Sequence, residues 1–189
     1  MTYLHLAFEK SADSLLKKLV KVFAGPYVHV EMIITQTLYD NSVSGRPPIL
    51  QHASYSAYMS ETFSRTLQKD FWFDDQCHDF LSVSVTPEEL YRINKTLEAC
   101  VESKIPYNTS DMLLSQVPLR NPTDRDIYES KTLFCSQAAV LVLRSCLDED
   151  HVLQAPLAGI NSRTITPSKL HEVLAPFCLP KLKRHIFSQ

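Results

Sequence analysis

Apolar residues recur at helical spacing from Ser11 to Phe23 and stop at Gly25-Pro26, the pattern of an amphipathic helix with a terminator. The next run, Tyr27 to Gln36, is rich in β-branched residues and is predicted to be a strand. A polar stretch from Asp40 to Pro48 separates it from a second short strand, Ile49 to Tyr55, so the pair reads as a hairpin with a long connection. Residues 56–78 show no clear period. They contain the cluster Phe71-Trp72-Phe73, whose ordinary role is packing. Alternation returns over Asp79–Val85, a further strand. Thr86-Pro87-Glu88-Glu89 then supplies a capping hydroxyl, a proline at the first helical position and acids in the first turn. That helix is expected to run to about Ser103.

Residues 104–131 form a proline-punctuated loop with a short helix expected around Asp111. From Phe134 to Leu147 the chain is apolar almost all the way round, so this helix belongs at the centre of the fold. Thr166-Pro167-Ser168 begins one more helix in the tail. Strands and helices in this order make an α+β domain.

Composition narrows the function classes. The 189 residues are enough for one domain, and 44% hydrophobic with 21% charged residues is ordinary for a globular chain. Nineteen basic against 21 acidic residues leave a net charge of −2, which argues against nucleic acid as a partner. No apolar run is long enough to span a bilayer, and Met1-Thr2-Tyr3-Leu4-His5 lacks the regions of a secretory signal. The five cysteines are an odd number with no CxxC spacing, so a reducing, cytoplasmic setting is expected. Three glycines leave nothing for a phosphate loop or a serine-nucleophile elbow. Cys77 and His78 are adjacent and point apart in extended chain, and no zinc spacing exists elsewhere. Neither a metal nor another cofactor is expected.

Three residues carry candidate chemistry. Cys135 stands at the first turn of the central helix, where unpaired N–H groups and the helix dipole favour a thiolate. The same groups can stabilise an oxyanion. Most free cysteines are simply small buried hydrophobes, and that reading stays open. His29 lies inside a strand between Val28 and Val30, and Glu31, two residues on, shares its face. A carboxylate beside a histidine orients the ring and stabilises its charged form, although an edge-strand ion pair would look the same. Together the trio forms a candidate thiol centre.

The strand Tyr27-Val-His-Val-Glu-Met-Ile-Ile34, then Ile105-Pro-Tyr-Asn-Thr-Ser-Asp111 and Leu133-Phe-Cys-Ser-Gln-Ala-Ala-Val140, resembles the circularly permuted papain-like cysteine hydrolases of the NlpC type. That branch includes YiiX-like bacterial proteins, lecithin:retinol acyltransferase-like enzymes and a poxvirus family. In it the histidine strand precedes the cysteine helix, as here. The resemblance covers about residues 27–147 of a single domain, leaving a helical N-terminal extension, 1–26, and a C-terminal tail, 148–189. It departs at Gln137, where relatives often carry Glu, and at Asn108, where an acid often follows the tyrosine; Asp111 can supply that charge.

The resemblance implies a small antiparallel sheet or barrel packed on the buried Cys helix, with the active site at their junction. It implies thiolate attack on an amide or ester, with Cys135 as nucleophile, His29 as general base and acid, and Glu31 as orienting acid. In many relatives the third member comes from the next strand, where His52 stands; Glu31 is preferred because a carboxylate stabilises imidazolium better. His52 is otherwise a strand residue bonded to backbone. Tyr107 lines the substrate pocket or donates to the oxyanion, or else is a core tyrosine with its hydroxyl in water, and Tyr27 has a weaker claim. A small-molecule, lipid or peptide substrate fits, with lipid or acyl groups favoured by the apolar loop residues Met112, Leu113, Leu114, Val117 and Leu119. That preference brings peripheral membrane contact with it. The alternative is a catalytically inactive binding or structural module on the same fold, for example a viral accessory or virion protein.

Overall fold

Two hydrophobic strand patterns that pair through a third, N-terminal strand set the architecture. The computed structural model describes residues 2–11, 17–18, 21–22, 25–38, 49–58, 61–68, 76–114, 127 and 130–179. Strands β1 (Thr2–Glu9), β2 (His29–Leu38), β3 (Ile49–Ala57), β4 (Phe63–Gln68) and β5 (His78–Val85) form one sheet in the order β4-β3-β2-β1-β5. Every pairing in it is antiparallel. Helices α1 (Pro87–Glu102), α2 (Thr109–Leu114), α3 (Cys135–Cys146), α4 (Gln154–Ala158) and α5 (Pro167–Leu174) complete an α+β chain.

The predicted hairpin of β2 and β3 forms, as does β5. The expected N-terminal helical extension does not hold from its start: Thr2–Glu9 is a strand lying between β2 and β5. Its Leu4, Leu6 and Phe8 are fully buried, and His5 and Ala7 between them are buried as well. Burial on both faces removes the polar alternation by which a half-exposed strand announces itself. Of the helix expected over Ser11–Phe23, Lys17, Lys18, Lys21 and Val22 are helical, Ser11 is not, and the rest lies outside the described residues. The cluster Phe71–Phe73 also lies outside them, as do Val117 and Leu119.

One apolar core joins the sheet to the helices. Leu4, Leu6, Phe8, Val30, Met32, Ile34, Leu81 and Val83 meet Ile93 and Leu97 of α1 and Ala138 to Leu143 of α3. Leu153, Leu157, Leu170 and Leu174 belong to the same cluster, so residues 153–174 are part of the core and not an appended tail. Arg144 ties them down by donating to the Leu157 carbonyl, and Leu179 bridges to Ser82 on the outer edge of β5. The α1 start is a full capping box: Thr86 Oγ1 accepts from the Glu89 N–H, and the Glu89 carboxylate accepts from the Thr86 N–H.

Just before β2, Gly25 adopts φ +92° and faces Ser168 so closely that a Cβ would lie 2.9 Å from its hydroxyl oxygen. Only glycine meets both demands. The Ser168 hydroxyl also accepts from the Tyr27 N–H, so α5 helps set the entry of the chain into β2. His29 is the first residue of that strand.

Candidate functional site

The β2–β3 ladder runs from Leu38–Ile49 to Met32–Tyr55 and goes no further, although β2 begins at His29 and β3 continues to Ala57. Beyond Met32 the two strands separate, and their backbone groups need other partners. The Val30 carbonyl accepts from Ser56 Oγ at 2.9 Å. The Val30 N–H donates to the sulfur of Cys135, as does the N–H of Ser136. The start of α3 is thereby docked into the open end of the hairpin.

Local sequence explains the placement of Cys135. Phe134 is the extended residue before the helix and its side chain does not cap it, so the first-turn N–H groups are not taken up by a side-chain cap. Ser136 fixes the turn by donating its hydroxyl to the Ile165 carbonyl at 2.8 Å. Leu133, just upstream, exchanges backbone hydrogen bonds with the segment around Tyr107: its N–H donates to Pro106 and its carbonyl accepts from Asn108. Tyr107 in turn donates its N–H to Glu61, and it packs with Val28, Met112 and Phe134.

The structure brings His29 and Cys135 together. Their side chains are hydrogen-bonded, and both residues are buried, Cys135 being 4% exposed. Burial alone would push the thiol up; the neighbouring imidazole, its hydrogen bond and the two N–H donors reverse that, and the thiol lies below its ordinary value. Burial likewise disfavours a charged His29, but Cys135, Glu31 and Glu9 overcome it and hold the ring above the usual histidine value. Each group favours the charged form of the other, which is the condition for a thiolate–imidazolium pair.

Glu31 is close but not bonded to the ring: its Oε1 is 4.0 Å from His29 Nε2. The carboxylate is held by the hydroxyls of Ser54 and Tyr58. The Tyr58 ring lies over the imidazole with centroids 4.8 Å apart. His29 Nε2 is instead 3.0 Å from Ser56 Oγ. Glu9, opposite His29 in the β1–β2 register, adds a second negative charge nearby.

The remaining expected site residues divide. Tyr107 is near the centre, since the charge of Cys135 helps raise its phenol above the ordinary value, after burial. His52 is not. It pairs in register with Thr35, whose hydroxyl is 3.0 Å from its Nδ1, and Thr35 is about 20 Å along β2 from His29. At that distance His52 is not the third member beside His29. Tyr27 precedes β2, and its hydroxyl donates to Asp79 at 2.5 Å; it ties β5 and α5 to the strand entry.

Sequence reasoning missed Ser54, Ser56, Tyr58 and Glu9. The separation of β2 from β3 that admits Ser56 and Tyr58 is a tertiary feature with no local signal. Glu9 was hidden with the rest of β1.

Beside the Tyr107 segment lies a cavity of about 370 Å³, bounded by Ala99, Cys100, Ile105, Pro106, Ile127 and Lys131 among others. Among the described residues no cluster of three or more His, Cys, Asp or Glu could hold a metal, and no helix is long and apolar enough to cross a membrane. No protein-family model matches the chain, and no curated protein or solved structure matches it either.

Proposed function

We propose that the chain is a thiol-dependent hydrolase or acyl-transfer enzyme, built on a permuted papain-like fold. The observation that carries this reading is the hydrogen-bonded Cys135–His29 pair at the start of a helix, with the thiol lowered and the ring raised. An antiparallel sheet packed on the Cys-bearing helix, with the histidine strand earlier in the chain, accords with the permuted order.

In this mechanism the Cys135 thiolate attacks the carbonyl carbon of an ester or amide. A C–S bond forms and the carbonyl electrons move onto oxygen, where the Cys135 N–H at the uncapped helix start receives the oxyanion. Collapse expels the leaving group, protonated by the imidazolium of His29, and leaves a thioester on Cys135. Neutral His29 then takes a proton from water, which attacks the thioester; the products are the acid and the free thiol. An acceptor alcohol or amine in place of water gives acyl transfer.

Apolar walls at Ile105, Pro106 and Ile127, beside the Tyr107 segment, support an acyl chain as the substrate portion bound there. A panel of short-chain and long-chain thioesters, p-nitrophenyl esters and peptides tests both levels of this reading. Turnover that rises with chain length and vanishes in Cys135→Ala is expected. Equal rates across chain lengths, or turnover of peptides only, removes the lipid preference. No turnover of any class leaves a binding module on the same scaffold as the better account.

A further inference from the structure

Ser56 determines which nitrogen of His29 carries hydrogen. Its hydroxyl oxygen lies 2.9 Å from the Val30 carbonyl oxygen and 3.0 Å from His29 Nε2, and the residue is 1% exposed. A carbonyl can only accept, so the single hydroxyl hydrogen of Ser56 belongs to Val30. Toward His29 the oxygen presents lone pairs alone. Nε2 must therefore be a donor, in the neutral ring as in the charged one, and Nδ1 is the nitrogen left to Cys135.

We infer that Ser56 is the positioning residue that fixes His29 in its Nε2–H form, so that Nδ1 is the base for the Cys135 thiol, while Glu31 acts as a fixed charge without a hydrogen bond to the ring. The 4.0 Å between Glu31 Oε1 and Nε2 is too long for such a bond. Glu31 is itself held in place by Ser54, two residues before Ser56 on the same strand, and by Tyr58, two residues after it. One short piece of chain, 54–58, thus orients both the imidazole and the carboxylate. A serine hydroxyl does here what an acid or amide commonly does for a histidine in a catalytic pair. It can because the Val30 carbonyl, freed by the separation of β2 from β3, takes up its hydrogen.

The catalytic consequence of this wiring rests on the hydrolase reading above, whereas the protonation pattern does not. Two measurements keep them apart. Long-range proton–nitrogen NMR of Cys135→Ser, at a pH where His29 is neutral, is expected to show hydrogen on Nε2. Iodoacetamide alkylation of Cys135 followed against pH is expected to slow about tenfold at neutral pH in Ser56→Ala, with the profile moved to higher pH, because the charged ring loses a buried acceptor. Ser56→Thr, which keeps the hydroxyl, is expected to retain the original profile. Hydrogen on Nδ1 in the NMR experiment overturns the inference, and so does an unchanged alkylation profile in Ser56→Ala. Should Ser56→Ala not fold, the NMR result on the protein with Ser56 intact decides alone. Failure to turn over any ester or amide would sink the hydrolase reading and leave both of these results standing.

Discussion

Cys135 and Val30 share a hydrogen bond that neither secondary element makes by itself: the N–H of the second residue of β2 points at the sulfur that opens α3. The bond exists because the hairpin comes apart below Met32–Tyr55, and it adds a backbone donor to the His29 side chain in holding the sulfur.

That environment sets an order of reactivity among the five cysteines. Burial pushes Cys100 and Cys178 up to about 11 and raises Cys146, while Cys135 is lowered. Limiting iodoacetamide at neutral pH is expected to label Cys135 first, read by peptide mass spectrometry. His29→Ala is expected to slow that labelling at least tenfold, since the partner that stabilises the thiolate is gone. Labelling of Cys77 or Cys178 while Cys135 stays intact would contradict the activated-thiolate account.

A second pH effect comes from the sheet, away from the site. His5 is 6% exposed and its ring lies at about 4, lowered by burial and then by His52. The unfolded chain therefore binds a proton near pH 6.5 that the folded chain refuses until about pH 4. Stability contributed by neutral His5 is full above 6.5 and falls through that window by up to about 3 kcal/mol. His29, raised instead, contributes with the opposite sign: its share is present below 6.5 and is lost as the pH climbs through its folded value. Urea midpoints between pH 4 and 6.5 should decline steeply, and less steeply in His5→Asn. A flat profile would show that His5 is not neutral in the fold.

Glu89 links α1 to the end of α3. Its two carboxylate oxygens accept from the Thr86 N–H at 2.8 Å and the Asp148 N–H at 2.9 Å. Burial opposes its charge, but these donors keep the carboxyl below the usual range. Its contribution is present above pH 4.5 and is lost as the pH falls through the lower, folded value. Glu89→Ala should cost about 2 kcal/mol at neutral pH, measured by denaturant unfolding, with no change in Cys135 alkylation.

Much of the site was legible because its key members declare themselves locally. Cys135 is the first residue of an apolar helix, and His29 and Glu31 are alternate residues of one strand. The capping sequence at Thr86 was equally plain. Elements without a local signature were not. In β4 Phe63 is buried while Arg65, Thr66 and Leu67 are exposed, so hydrogen bonding to β3 and not hydrophobic pattern makes it a strand. The spacing of Leu153, Leu157, Leu170 and Leu174 did carry a helical period that could have placed residues 153–174 in the core. Ser56 could not have been chosen from sequence, since its role depends on where β2 and β3 part.

The central claim is that Cys135 is a nucleophile toward acyl carbonyls. Intact-protein mass spectrometry after brief exposure to an activated ester or thioester tests it directly. A single acyl adduct on Cys135 that hydroxylamine removes is expected, absent in Cys135→Ala and strongly reduced in His29→Ala. No adduct with any acyl donor, or an adduct confined to another cysteine, would contradict it.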